Sequence, residues 1–413
     1  MAIKGLVGVK DNGKYFSIQD FKPVTKTSKS VFSKKSKLDL GVGLSLEGKI
    51  LLNGIKIAKT FSANGKLFAF SLSGEIFVKV GESFNKIKIP PFLGIPKIFP
   101  IDYDGKKSAL IISEGANYII NDSVHYVGVL KADTVASFKD GLFFGYKRKI
   151  YACLEKDHTL INPDFLKYKT INIPQKLSCV KKLIPFSDHL LAVCAGGFAE
   201  IRRVNDDLEL SVTIIDADPL KIEEDTAIKI GESVYFISRG KFCVYQDKKV
   251  RVIDTLLDKN SFNKISAVGS SDNFYLLPGV TFDGEIGLLV YDTQNNLDTF
   301  IDFSEEFLTE DGRVLDKEGN LKKVTTNGDF ACLWQSDSTD FNEQDKKTVY
   351  QVYIKCSGEC KFTLIGDKKQ KSFNLKEGGN LLNANVYASQ FSFLIEGDKN
   401  AFPITELKVK YGI

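Results

Sequence analysis

One pattern constrains this 413-residue chain more than any other: a hairpin that returns about every 40 residues between positions 41 and 333. Each copy is an apolar run rich in Phe, Ile, Leu, Val and Tyr, then a turn carrying Gly or Asp, a second apolar run and a polar connector. The copies lie at 65–80, 108–120, 141–152, 189–201, 232–245 and 273–291, the last broken by Gly279 and by Asp283-Gly284. A lone hairpin buries too little to be stable in water, so the copies must pack on one another. The connectors leave room for further short strands, such as 86–89 and 169–173, and four short strands per repeat is the content of a β-propeller blade. About 290 residues at this interval give six or seven blades. No Trp-Asp or comparable motif recurs, so the array is irregular and is neither a WD40 nor a kelch repeat. Apolar residues never keep helical spacing for a dozen residues; 253–257 and 303–308 offer a turn or two at most, and helices are incidental. Pro90-Pro91 and Pro96 mark a connector between blades.

The two ends of the chain read differently. Short strands follow closely at 349–354, 360–365, 372–375, 390–395 and 404–411, with turns at Gly366-Asp367 and Gly378-Gly379. Phe391, Phe393 and Ile395 share one face, as do Leu407, Val409 and Tyr411, which predicts a small β-sandwich. Periodicity lapses between Trp334 and Val349, where the expected link to the propeller lies. Residues 1–40 are polar and extended, and between Phe21 and Leu38 they carry Lys22, Lys26, Lys29, Lys34, Lys35 and Lys37 with no acidic residue. Such a basic arm packs over its own domain or a neighbouring subunit, or lies on an anionic partner such as DNA. The expected all-β division is therefore an arm over 1–40, a propeller over 41–340 and a sandwich over 341–413.

Charge and motifs narrow the function. With 56 basic and 52 acidic residues the net charge is +4, too small for a dedicated nucleic-acid binder. The first ten residues contain no apolar signal region, and nothing approaches the roughly 18 apolar residues of a spanning helix, so a soluble, unprocessed chain without membrane contact is expected. Seven scattered cysteines read as reduced thiols. Cys356-Ser-Gly-Glu-Cys360 offers two thiols where zinc wants about four ligands, and buried strand-end thiols are the expectation. Asp102-Tyr-Asp-Gly105 opens like a calcium loop, but Ser108 stands where an acid is needed and no other blade repeats the signature, so a blade turn is expected. His125, His158 and His189 lie near no recognisable nucleophile elbow, and Gly-x-Ser-x-Gly, Gly-x-Gly-x-x-Gly and Walker patterns are missing. A non-enzymatic chain without cofactor or metal is the expectation.

Several features taken in order carry a resemblance: Trp334-x-Ser336, a polar link with Lys346-Lys347, a strand ending in Ser357-Gly358, the Gly366-Asp367 turn, and a closing Ile395-Glu396-Gly397 followed by 404–411. This order resembles the C-terminal module of the tail-hub propeller proteins of short-tailed bacteriophages, also called packaged-DNA stabilisation or tail tubular proteins. The resemblance implies a virion structural protein of the tail or neck, made in the host cytoplasm. It further implies a homo-oligomeric, sixfold ring around the DNA channel, contacting portal, adaptor or other tail proteins, with the lysines of the arm available for weak, non-specific DNA contact. The other reading the residues allow is an intracellular propeller that holds a sugar or peptide in its funnel.

Overall fold

The computed structural model of the protein describes residues 14–17, 31–34, 37–40, 43–103, 105–128, 131–139, 141–153, 169–204, 207–213, 222–223, 225–253, 268–282, 285–303, 307–326, 328, 331–336, 338–342 and 344–412. They form nine four-stranded antiparallel sheets and one two-stranded hairpin. Among the described residues there is no α-helix; two 3-10 turns occupy Gln175–Leu177 and Lys399–Ala401.

Seven of these sheets are propeller blades. Blades 1 to 6 span 57–86, 97–128, 134–172, 180–213, 228–252 and 269–302, each a meander of consecutive strands. The six hairpins seen in the sequence are the second and third strands of these blades. They are legible because both faces are covered: every residue of Leu190–Cys194 and of Ser233–Ser238 is buried, which yields a solid apolar run. Outer strands such as Lys249–Val252 are mostly exposed and leave a weaker trace. Blade 7 combines Phe307–Leu308, Arg313–Leu315 and Asn320–Thr325 with Gly43–Lys49 from the other end of the array, which closes the ring. Its tight turn needs Gly319, whose φ of 85° suits glycine and whose Cβ would collide with the carbonyl oxygen of Ile50.

The core follows the same logic. Seven apolar clusters each sit between two consecutive blades. Between blades 4 and 5, Phe198 stacks on Tyr245 and meets Phe236 edge-on. Between blades 7 and 1, Leu315 and Leu321 pack with Ile50, Leu67 and Phe84, so the series returns to its start.

The remaining two four-stranded sheets form the sandwich. One runs Lys14–Ser17, Glu406–Gly412, Lys347–Cys356, Gly378–Ala388; the other runs Cys332–Gln335, Phe391–Gly397, Cys360–Gly366, Gln370–Leu375. Three sequence expectations change here. The sandwich begins at Cys332 and not at 341, because Trp334 pairs with Ile395 and is fully buried. Phe341 stacks on Phe391 and Tyr411, and the buried Lys347 donates from Nζ to the carbonyl oxygens of Asp340 and Ser389, so the supposed link 334–347 belongs to the sandwich. Gly378-Gly379 opens the longest described strand instead of making a turn. The arm is also partly structured: Lys14–Ser17 pairs with Glu406–Gly412, and the hairpin Val31–Lys34/Lys37–Leu40 lies against Leu297–Asp302 of blade 6 and against Cys332–Gln335.

Candidate functional site: the axial channel

The innermost strands of the blades line a channel along the propeller axis: Ile57–Ala63, Lys97–Tyr103, Thr134–Phe138, Val180–Pro185, Ile228–Ile230, Gly269–Ser271 and Phe307–Leu308. Hydrogen bonds pin neighbouring blades near this wall. The backbone N–H of Asp311 donates to Ser62 Oγ (3.3 Å), that of Asp102 to Ser137 Oγ (3.0 Å) and that of Leu183 to Thr134 Oγ1 (3.0 Å). Asn64 Nδ2 donates to the carbonyl oxygens of Ile101 and Ser108. Short polar side chains at the strand ends thus satisfy backbone groups that the narrow axis leaves without a ladder partner.

Across the channel, Lys182 of blade 4 and Glu310 of blade 7 form an ion pair at 2.6 Å. Both belong to the walls of two cavities. One, of about 570 Å³, is bordered by the first turns of blades 1 and 2 and by Ser137, Lys229 and Asp311. The other, of about 260 Å³, is bordered by Lys59, Lys97, Asp133, Lys181 and Asp225. Two further ion pairs lie nearby: Lys107 with Asp102 at 2.7 Å, and Arg313 with Asp311. Burial raises the Asp311 carboxyl, but hydrogen bonds from Arg313 and Thr309 outweigh it and hold the group below its ordinary value. Lys97 Nζ reaches the carbonyl oxygen of Asp133 at 3.3 Å, and Lys229 Nζ reaches that of Pro185 at 3.1 Å while sitting 4.1 Å from the Phe186 ring. Such a wall is held by internal pairs and presents a mixed-sign surface.

No family model and no curated protein matches the chain. Solved structures similar in shape include the extracellular domain of a hybrid two-component system from B. thetaiotaomicron, at 10% identity and a TM-score of 0.45, covering 83% of this chain and 47% of that one. The chain thus spans about half the length of that neighbour. The computationally designed Ika8 protein aligns at 13% identity and a TM-score of 0.39 over 68% of this chain and 98% of its own. The WD40 domain of Neurospora crassa Pan2 aligns at 8% identity and a TM-score of 0.41 over 67% of this chain and 91% of its own. The assignment of the fold rests on the strand pairing and the closed series of inter-blade clusters.

The residues singled out in the sequence are scattered. Lys22, Lys26, Lys29 and Lys35 lie outside the described residues; Lys34 and Lys37 are backbone register partners at one end of the N-terminal strand pair. Asp102 belongs to the first turn of blade 2 and pairs with Lys107. His158 lies outside the described residues. His125 sits on an exposed outer strand with Nε2 2.7 Å from Ser123 Oγ, two residues away. His189 stacks on Phe186 and holds Asp188 at 2.7 Å, which lowers the Asp188 carboxyl. Beside it, the buried Glu200 accepts from Tyr245 OH and pairs with Lys248 and Arg202. Cys360 is buried and pushed up to about 12 by desolvation, and Cys356 is raised by the same cause, so both stay protonated thiols at neutral pH. Among the described residues no group of three or more His, Cys, Asp or Glu side chains is placed to hold a metal ion, and no helix is long and apolar enough to cross a membrane. The cross-channel pair escaped the sequence because 128 positions separate its members and neither carries a local signature.

Proposed function

We propose that this chain is a non-enzymatic structural subunit of a short-tailed bacteriophage tail or neck, assembling with copies of itself into a ring around the DNA passage and contacting portal, adaptor or other tail proteins. The observation that carries the reading is where the exposed large apolar side chains fall. Among the described residues of the propeller, Leu46, Leu51, Leu72, Val80, Leu93, Ile95, Val124 and Tyr126 belong to blades 7, 1 and 2 or their connectors, with Leu93 93% exposed, whereas Val252 alone lies on another blade; Leu381 and Tyr387 are exposed on the sandwich. Apolar side chains gathered on one flank of a charged propeller suit a subunit contact, and a head-to-tail contact between copies closes into a ring. The internally paired channel and the clamped sandwich suit a part that transmits load.

Negative-stain imaging of the purified protein and of parent particles tests this: rings in the first and the protein at the neck or tail of the second are expected. A protein that stays monomeric and is missing from particles would refute it. DNA contact should be weak and lost near physiological salt, since strong grip would oppose sliding; a variant with Lys26, Lys29, Lys34, Lys35 and Lys37 changed to Ser should differ only at low salt.

A further inference from the structure

Away from the axis, blades 5 and 6 enclose a further cavity of about 640 Å³, where Gly231, Gln246, Asn273 and the turn 293–296 come together. It shares no bordering residue with the two channel cavities. Its volume falls within the roughly 300–1,000 Å³ of small-ligand sites. Its wall is largely polar, and among the described residues a single formal charge borders it, the guanidinium of Arg251 on the outer strand Lys249–Val252. Arg251 Nη2 donates to Gln246 Oε1 at 2.6 Å, and among the described residues no carboxylate pairs with it. A guanidinium carries five N–H groups in a fixed fork, so most of its capacity is left for a ligand. The nearby Asp292 spends its carboxylate on the backbone N–H groups of Gln294 and Asn295 and on Asn295 Nδ2, and neither it nor Asp298 borders the cavity.

Side-chain amides stand around the arginine on a braced frame. Tyr291 OH donates to Asn296 Oδ1 at 2.9 Å, which occupies the acceptor of that amide and leaves its N–H groups available. Thr293 donates from its backbone N and its Oγ1 to the carbonyl oxygen of Asn273, at 3.0 and 2.7 Å, tying two turns of blade 6 together. Among the described residues, the amide groups of Asn273 and Gln294 and the Nε2 of Gln246 have no partner.

We propose that this cavity binds a carboxylate-bearing sugar of an acidic oligosaccharide, with the carboxylate on Arg251 and the ring hydroxyls on the amides of Gln246, Asn273, Gln294 and Asn296. Three features select that class. A lone guanidinium matches a single carboxylate, whereas a phosphate-rich chain calls for several cations, and neither Lys248 nor Lys249 borders the cavity. Amides that donate and accept at once match neighbouring hydroxyls that do the same. Tyr235 and Tyr291 are 7% and 2% exposed, so no bare ring is offered to a nucleobase, while the exposed Val252 gives the C–H face of a sugar an apolar contact. The inference does not rest on the ring reading, since it uses the junction of blades 5 and 6 and neither the propeller flank nor the channel.

The test is isothermal titration calorimetry on the full chain with four probes: the trisaccharides of glucuronic, galacturonic and mannuronic acid, and N-acetylneuraminic acid. At least one should bind with a Kd below about 1 mM. Arg251→Gln, which keeps an amide and loses the charge, should weaken that sugar at least about tenfold, and Arg251→Lys, which keeps the charge and loses the fork, should fall between. Gln294→Ala should weaken it about threefold or more. Arg251 and Gln294 are exposed, so the variants should keep the wild-type circular dichroism and urea midpoint. Failure of all four probes up to about 10 mM overturns the proposal. So does maltotriose binding as tightly as the acidic sugar, which would mark a neutral-sugar site, or tighter binding of an acetylated tripeptide or of inorganic phosphate, which would mark a peptide or general anion site. Binding that Arg251→Gln leaves unchanged overturns it as well. None of these results bears on assembly, which the imaging decides separately.

Discussion

Replacing Phe198 with alanine tests whether the junctions between blades carry the stability of the propeller. Phe198 is fully buried between blades 4 and 5, with ring centroids 4.3 Å from Tyr245 and 5.3 Å from Phe236. Truncating a buried phenylalanine costs about 3–5 kcal/mol, and the loss of two aromatic contacts places this site toward the upper end. With a urea dependence of roughly 3 kcal/mol per molar for a domain this large, the midpoint should fall by about 1–1.5 M. Two probes separate the two units. Far-UV circular dichroism follows the propeller strands, whereas the chain's single tryptophan, Trp334, lies in the sandwich core and reports on that core by its emission. Among the described residues, the apolar cluster around Trp334 draws only on the sandwich. The dichroism transition should therefore move while the tryptophan transition stays in place. A dichroism shift below about 0.3 M would refute the role assigned to the junction. Equal shifts in both signals would refute the separation of the cores.

Three further outcomes follow from particular groups. Thr60 Oγ1 is buried in the innermost strand of blade 1 with no hydrogen-bond partner among the described residues, so Thr60→Val, nearly the same shape, should raise stability by about 1 kcal/mol in urea unfolding; a loss of similar size would mean that the hydroxyl is satisfied. Cys179 is the only one of the seven cysteines that is not buried, and desolvation pushes Cys194 and Cys332 up to about 12, so a thiol-exchange reagent on the native protein should consume about one thiol quickly, and Cys179→Ser should abolish that phase. The backbone N–H groups of Ser389 and Gln390 hold the Asp367 carboxyl below its ordinary 3.8. A depressed folded value means the contribution is complete above 3.8 and fades as pH falls through the folded value. Wild type should thus exceed Asp367→Asn in urea midpoint at neutral pH, with the gap narrowing as pH falls below 3.8; a constant gap would contradict the assignment.

What the sequence disclosed depended on how local each signal was. The middle hairpins of blades 1 to 6 were visible because their partners are adjacent in sequence and both faces are covered. The seventh blade was not, since Gly43–Lys49 finds its partner Asn320–Thr325 more than 200 positions away. Gly378–Ala388 was hidden by glycine and asparagine, residues that ordinarily mark turns. At Gly379 a Cβ would meet the end of the Tyr353 ring. Trp334 and Phe341 sit among Ser, Asp and Asn, so the polar composition around them read as a link although the two rings anchor the stretch in the core. The channel charges were even less accessible, since a propeller brings together strand ends from all seven blades whose spacing in sequence carries no common period.

The sheet that joins Lys14–Ser17 to Glu406–Gly412 also sets a timetable. During synthesis each middle hairpin can form as soon as it emerges, yet Gly43–Lys49 must wait for Asn320–Thr325, and Lys14–Ser17 must wait for Gly412. Two segments that precede the blades in sequence are thus among the last to find their places. Until then they remain single strands with open edges in a crowded cell, at the stage where mispairing with another nascent copy is most costly. A ribosome-bound chain halted before residue 320 should hold a stack of six blades that cannot close, and release of the full strand set converts it into a ring in one late, cooperative step.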